Sequence, residues 1–350
     1  MPTNIDISFA VTLLRRGDVV AFATETVYGL GADAHSARGV QQIYDIKGRP
    51  AGHPLIIHVS NQAAACYWAD LGAAGKVLAD AFWPGPLTLI VPRRADVPAY
   101  ACGDESTIGL RCPSHPLAHK LLAAFEYGGG RGIAAPSANR FGGVSPTSAS
   151  HVRSDFGEVV PVLDGGPSAH GLESTIVDLS RGFVSILRPG SVTAAQVSEV
   201  LRARGLAAID TEVNAQPSLR DKTVRQPRVS GSLAAHYAPD TAIELLLPEQ
   251  LKRRVVELSD SGRRYVVCSS SQPEPPGLHW EHASSDAAVF GFRLYAMLRE
   301  FDQLGADVIL IEAPPRSAQW DAVNDRLQRA QTGSGLPARS GRLSGPDNLR

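Results

Sequence analysis

Two runs of alternating strand-like and helix-like segments, parted by one polar stretch, constrain the fold of this chain most tightly. In the first run, strand candidates are Val19–Ala23, Leu55–Val59, Leu87–Val91, Thr107–Arg111, Gly132–Ala135, Val159–Leu163, Ser174–Leu179 and Phe183–Leu187. Helical spacing of apolar residues marks Asp6–Arg16, Ala37–Ile46, Ala74–Phe82, Pro116–Phe125, Thr147–Phe156 and Thr193–Arg204. This predicts one α/β domain over residues 1–204. From Gly205 to Ser232 the chain turns polar and mixed in charge, with two prolines and no sustained period, so 205–240 reads as a linker.

Alternation then resumes. Strands are expected at Ala242–Leu247, Arg264–Ser269 and Asp307–Glu312, and helices at Pro248–Leu258, Ala287–Leu304 and Asp321–Gln331. Short strands separated by helices of these lengths predict a smaller, doubly wound α/β domain over 241–331. The Gly/Ser/Pro/Arg-rich residues 332–350 are expected to be a disordered tail.

Bulk properties narrow the function. A net charge of -1 excludes a nucleic-acid coat or polybasic membrane binder, so any affinity for phosphate has to come from local clustering. The sequence offers no uninterrupted apolar run of the ~18 residues a membrane span needs, and its N-terminus lacks the basic and apolar regions of a secretory signal. A cytoplasmic protein is expected. Cys66, Cys102, Cys112 and Cys268 are scattered without a CxxC pair, which predicts isolated buried thiols rather than a zinc site or disulfide framework.

Local clustering is found in KGRPAGHPLIIH at 47–58, PSAN at 136–139 and LRPG at 187–190. Lys47 and Arg49 close a helix, with Gly48 suited to a left-handed cap; alone, the same residues also describe a solvated helix C-terminus. Ser137 and Asn139 follow a strand across Pro136, at the edge where open α/β sheets bind ligands, although a Ser/Asn turn has the same composition. Ser145 fits a helix-capping region, Arg188 a surface arginine, and His53 and His58 flank the apolar run Leu55–Ile57. GLGADA at 29–34 has a dinucleotide spacing in the wrong context, since TETVY separates the strand from the first glycine; its glycines are expected to serve a turn. Neither GxxxxGK[ST] nor GxSxG occurs.

In order along the chain come TETVYGLG, the KxR of KGRP, HPLIIH, FWPGPLT, GLRCPSHP, the SxN of APSAN, SPTSA, ESTIVD and LRPG. This succession, over 18–190, resembles the YrdC-like threonylcarbamoyl-AMP synthase family. HYAP at 236–239, LREFDQLGADVILIEAPP at 298–315 and NDRLQRA at 324–330 resemble the C-terminal extension of its long form. The resemblance implies a twisted mixed sheet with helices around a concave ligand cleft, plus a Rossmann-like C-terminal domain. It also implies conversion of L-threonine, bicarbonate and ATP to L-threonylcarbamoyladenylate with release of pyrophosphate. A downstream threonylcarbamoyl transferase complex would then modify the adenosine beside the tRNA anticodon, with at most weak tRNA contact by this chain and no membrane.

Carried over residue by residue, the resemblance makes Lys47, Arg49, Ser137 and Asn139 the catalytic phosphate region. Arg49, His53, Thr107, Ser137, Ser145, Arg188 and Tyr237 would contact ATP, and Thr26, His58, Arg111, Ala135 and Ser174 would hold threonine. Mg²⁺ would arrive with ATP, without an assured protein ligand. The chemistry agrees, because threonine presents a carboxylate suited to a bidentate arginine and a hydroxyl suited to Thr26 or His58. His53 departs from the family's usual asparagine and introduces a titratable ring. Tyr237 implies a lid at Ser230–Pro239. Two other classes fit parts of the pattern: an RNA-binding module, and a carbamoyl-transfer domain that uses carbamoyl phosphate.

Overall fold

The computed structural model describes residues 5–209 and 225–335, so the middle of the linker and residues 336–350 of the expected tail lie outside the described residues; Thr332 and Gly333, expected in that tail, continue the last helix. The first sheet has nine strands: β1 (Val20–Phe22), β2 (Gly29–Asp33), β3 (Ile56–His58), β4 (Leu87–Pro92), β5 (Thr107–Arg111), β6 (Ile133–Ala134), β7 (Val162–Leu163), β8 (Thr175–Asp178) and β9 (Ser185–Arg188). Their spatial order is β7-β1-β2-β6-β3-β5-β4-β8-β9, with parallel and antiparallel pairs mixed. Helices α1 (Ile7–Arg15), α2 (Ala37–Lys47), α3 (Gln62–Trp68), α4 (Gly72–Phe82), α5 (Pro116–Tyr127), α6 (Ala149–Phe156) and α7 (Ala194–Arg202) accompany it.

Local sequence explains most of these elements. Ser36, Asn61 and Thr193 cap α2, α3 and α7 by accepting backbone N–H groups three residues on. The helix α2 ends as its sequence predicts, with Gly48 in the left-handed region at φ 63° and Pro50 beyond. The apolar faces of α1 and α5 enclose Phe22 and Ile133 in a second layer of core.

Several expectations need correction. GLGAD is strand β2, not a turn: a Cβ on Gly31 would lie 2.7 Å from both Ile133 and the Phe22 ring, so the glycine admits that ring beneath the sheet. Only Val162–Leu163 of Val159–Leu163 forms a strand, and Val159 is exposed. Cys66 is exposed on the outer face of α3, whose Ala65 and Trp68 turn inward; the other three cysteines are buried.

A second sheet contains β10 (Ile243–Leu246), β11 (Tyr265–Ser269), β12 (His279–His282) and β13 (Val308–Glu312). All pairs are parallel, in the order β10-β13-β11-β12. Helices α8 (Pro248–Asp260), α9 (Ala287–Gln303) and α10 (Asp321–Gly333) pack on it. The edge strand β12 has the polar sequence HWEH, which carries little apolar signal. Val27, Val144 and Leu172 of the first unit share an apolar cluster with Leu294, Phe301 and Leu327 of the second, so the two are packed together. No helix among the described residues is long and apolar enough to cross a membrane.

Candidate active site

Register across the first sheet assembles one side of the site. His58 ends β3 and pairs with Arg111 at the end of β5, which pairs in turn with Thr88 on β4. Paired residues share a face, so the imidazole and guanidinium stand side by side. Arg111 donates to Glu25 at 2.6 Å, and Thr88 and Ser174 hydroxyls lie 2.7 Å apart. Burial disfavours the Glu25 carboxylate, but the charge and hydrogen bond of Arg111 outweigh it and hold the carboxyl below its ordinary range. Burial, reinforced by Arg111, pushes His58 down to about 3, so the ring is neutral near pH 7.

Among the described residues, Glu25 Oε2, Arg111 Nε and His58 Nδ1 are buried without a hydrogen-bond partner. Such groups are costly to leave unmatched. Together they offer a cationic donor, an acceptor and an imidazole nitrogen to a zwitterionic ligand.

The cationic corner is built by the end of α2. Lys47 Nζ reaches the carbonyl of Ser137 at 2.6 Å and also that of Asn139, binding the KxR segment to the SxN loop. Burial, with Arg49 adding repulsion, depresses Lys47 well below the lysine range, and burial lowers Arg49 to about 10. Arg49 donates to the Pro54 carbonyl at 3.0 Å and lies over the Phe141 ring. Asn139 spends its amide hydrogens on the Arg140 and Gly143 carbonyls, leaving Oδ1 a buried acceptor with no partner among the described residues. His53 is half-buried and edge-on to Phe141; burial and the Arg49 charge lower its pKa.

Between these corners is a cavity of about 40 Å³, walled by residues including His58, Arg111, Ala135, Ser137, Ser174 and Arg188. That is space for about three waters. Part of its wall is the segment that follows the undescribed part of the linker. Val229 packs on Ile56, Ile90 and Ile176 of the sheet, Ser230 accepts from Arg188, and His236 and Tyr237 line the cavity. Ala238 donates to the Gly142 carbonyl, fastening the segment beside the SxN loop.

The predicted residues are not all equivalent in this arrangement. His58, Arg111, Ala135, Ser137, Ser174, Arg188 and Tyr237 line the cavity. Lys47, Arg49, Asn139 and Ser145 form a buried shell around it. Thr26 is fully buried with its hydroxyl 3.0 Å from that of Thr24, and it is Thr24 that faces the cavity. Thr107 starts the strand that Arg111 ends, about 13 Å away by strand rise. Sequence reasoning missed Glu25 and Glu173, although both stand inside quoted motifs, because a carboxylate near an expected anion site has no role until its partner arginine is known. Among the described residues no group of three or more His, Cys, Asp and Glu is placed to hold a metal ion.

Comparison with known proteins places this geometry. Residues 12–190 match the Sua5, YciO and YrdC family, described as telomere recombination, and residues 192–332 match the family described as threonylcarbamoyl-AMP synthase, C-terminal domain. The chain is 34% identical over 332 residues to the threonylcarbamoyl-AMP synthase of Pyrococcus abyssi, covering 93% of both. It is 36% identical over 344 residues to that of Bacillus subtilis, again covering 93% of both. The crystal structure of P. abyssi Sua5 complexed with L-threonine superposes with a TM-score of 0.81 at 34% identity, over 93% of this chain and 94% of that one. With full-length relatives and both family matches in agreement, the chain belongs to the threonylcarbamoyl-AMP synthase family, in its two-domain form.

Proposed function

We propose that this protein makes L-threonylcarbamoyladenylate from L-threonine, bicarbonate and ATP, releasing pyrophosphate. The observation that carries the reading is one cavity walled by Arg111, His58 and Ser174 and also by Ser137 and Arg188. Arg111 suits the threonine carboxylate, bidentate in the manner of arginine, with Glu25 and neutral His58 available to the ammonium and hydroxyl. The free amine adds to bicarbonate with loss of water, and a carbamate oxygen then attacks the α-phosphorus of ATP as pyrophosphate leaves. Carbamates decompose readily in water, so a site closed by Val229–Tyr237 suits the chemistry.

Lys47, Arg49 and Arg188 offset charge on the phosphates, and the SxN loop held by Lys47 orients them. Magnesium fits as a companion of the triphosphate: Asn139 Oδ1, a buried acceptor without a partner among the described residues, would suit a metal-bound water, and the ion would supply charge neutralisation on the leaving pyrophosphate. The product would pass to a threonylcarbamoyl transferase complex acting on the adenosine beside the tRNA anticodon, in the cytoplasm.

The test supplies the protein with ATP, Mg²⁺, L-threonine and labelled bicarbonate. Label should enter an adenylate, with pyrophosphate release dependent on both threonine and bicarbonate. Release independent of either would overturn the reading, and turnover of carbamoyl phosphate instead would favour a carbamoyl-transfer enzyme.

A further inference from the structure

A row of polar side chains crosses the first sheet at one level. His58 on β3 pairs with Arg111 on β5, and Arg111 pairs with Thr88 on β4. Ser174 stands where the chain enters β8, the strand on the other side of β4. His58, Arg111 and Ser174 line the cavity, whereas Thr88 does not. Thr88 is fully buried, and the one hydrogen-bond partner its hydroxyl has among the described residues is the Ser174 hydroxyl, 2.7 Å away.

Each hydroxyl has one hydrogen and two lone pairs. Ser174 Oγ already accepts from Arg188 Nη2 at 3.1 Å, which occupies one of its lone pairs. The guanidinium is held in that position because Nε and Nη2 also donate to the Ser174 carbonyl, at 3.1 and 2.9 Å. Between Thr88 and Ser174 the geometry allows the hydrogen to run either way. If Ser174 donated, the Thr88 hydrogen would be buried in the sheet without an acceptor, which costs more than an ordinary hydrogen bond contributes. With Thr88 as donor, both lone pairs of Ser174 are filled, by Thr88 and by Arg188. The Ser174 hydrogen then has only the cavity to point into.

The direction of one buried hydrogen therefore sets the polarity of the cavity wall. Ser174 meets a ligand as a donor, on the same face as the Arg111 guanidinium, and an ammonium group is excluded from that side. Glu25 Oε2, a buried acceptor without a partner among the described residues, is where the ammonium is matched.

We propose that Thr88 is a positioning residue for the amino-acid substrate: it donates to Ser174 and so turns the Ser174 hydrogen towards a carboxylate oxygen that Arg111 also holds. Thr88 thereby fixes which way round the zwitterion sits. The substrate half of this inference rests on the adenylate-forming reading above; the direction of the hydrogen does not.

Two measurements on the full chain test it. In urea unfolding, Ser174→Ala strands the Thr88 hydrogen and should lower the midpoint more than Thr88→Val does, and adding Thr88→Val to Ser174→Ala should recover part of the loss. The reverse order, or a double variant less stable than Ser174→Ala alone, would overturn the assigned direction. In calorimetric titration with L-threonine, Thr88→Val should raise the dissociation constant about fivefold or more, while the Michaelis constant for ATP stays within about twofold. Thr88→Ser should restore threonine binding to within about twofold of wild type, and the double variant should bind no more weakly than Ser174→Ala, because Thr88 acts only through Ser174. If Thr88→Val fails to fold, Thr88→Cys, close in size to serine but a weak donor, carries both measurements. Native threonine affinity in the folded Thr88 variant, or losses that add in the double variant, would overturn the positioning role. Failure of the wild-type protein to incorporate bicarbonate would instead strike the functional reading, leaving the urea midpoints and threonine affinities standing.

Discussion

Arg111 and Glu25 face each other at 2.6 Å with each side chain about 5% exposed, so the arginine best suited to a carboxylate ligand already has an internal one. The pairing keeps a buried cation tolerable before substrate arrives. Removing one partner of such a pair costs about 3–5 kcal/mol. Glu25→Gln should therefore lower the urea midpoint markedly, and the double change with Arg111→Met should cost less than the two singles added. In the assay, Arg111→Lys should raise the Michaelis constant for threonine tenfold or more with little change for ATP; equal effects on both would argue against a threonine-side role.

Lys47 supports the SxN loop through two carbonyls rather than facing open solvent. Lys47→Met keeps the bulk but leaves both acceptors buried and unmatched, at roughly 1–3 kcal/mol each. Thermal unfolding should fall, with faster hydrogen exchange in 136–143. Arg49→Met should slow adenylation about tenfold or more, since a charge-assisted bond is worth about 1.5–3 kcal/mol. Unaltered single-turnover rates would remove Arg49 from the phosphate site.

Neutral His58 makes the molecule acid-sensitive. Its folded pKa of about 3 lies below the ordinary 6.5, so between those values the unfolded chain binds a proton that the folded one does not. Stability therefore falls as pH drops from 6.5 towards 3, by up to about 1.4 kcal/mol per pH unit from this residue. Denaturant titrations across that window should show a shallower slope for His58→Asn. An identical slope would mean the ring titrates normally.

His53 is lowered by burial and by Arg49, so its ring gains charge only below the ordinary histidine value of 6.5. An added positive charge favours nucleotide, and the Michaelis constant for ATP should fall on acidification below that value. His53→Asn should abolish the change. A wild-type constant that stays flat from pH 8 to 5.5 would sink the idea.

The sequence was most readable where a signal is local. The α2 helix, its Gly48 cap and the β5 strand follow from apolar period and capping residues within a few positions. Strand β2 was misread because its glycines answer to Phe22 and Ile133, which lie outside any local window. Thr26 and Thr24 are equivalent in composition, and only the backbone turn decides which hydroxyl meets the cavity.

By itself the sequence determined that two α/β units would form and that KxR, SxN and LRPG would stand at the ends of their elements, because periodicity and caps act over one or two turns. Tertiary structure alone decided that Glu25 would engage Arg111 and that Glu173 would join Ser145 to Arg326. The two arginine–carboxylate pairings join residues 86 and 153 positions apart. The energy of a buried charge depends on which partner reaches it, and that is fixed only when the sheet register and the packing of the two units are complete.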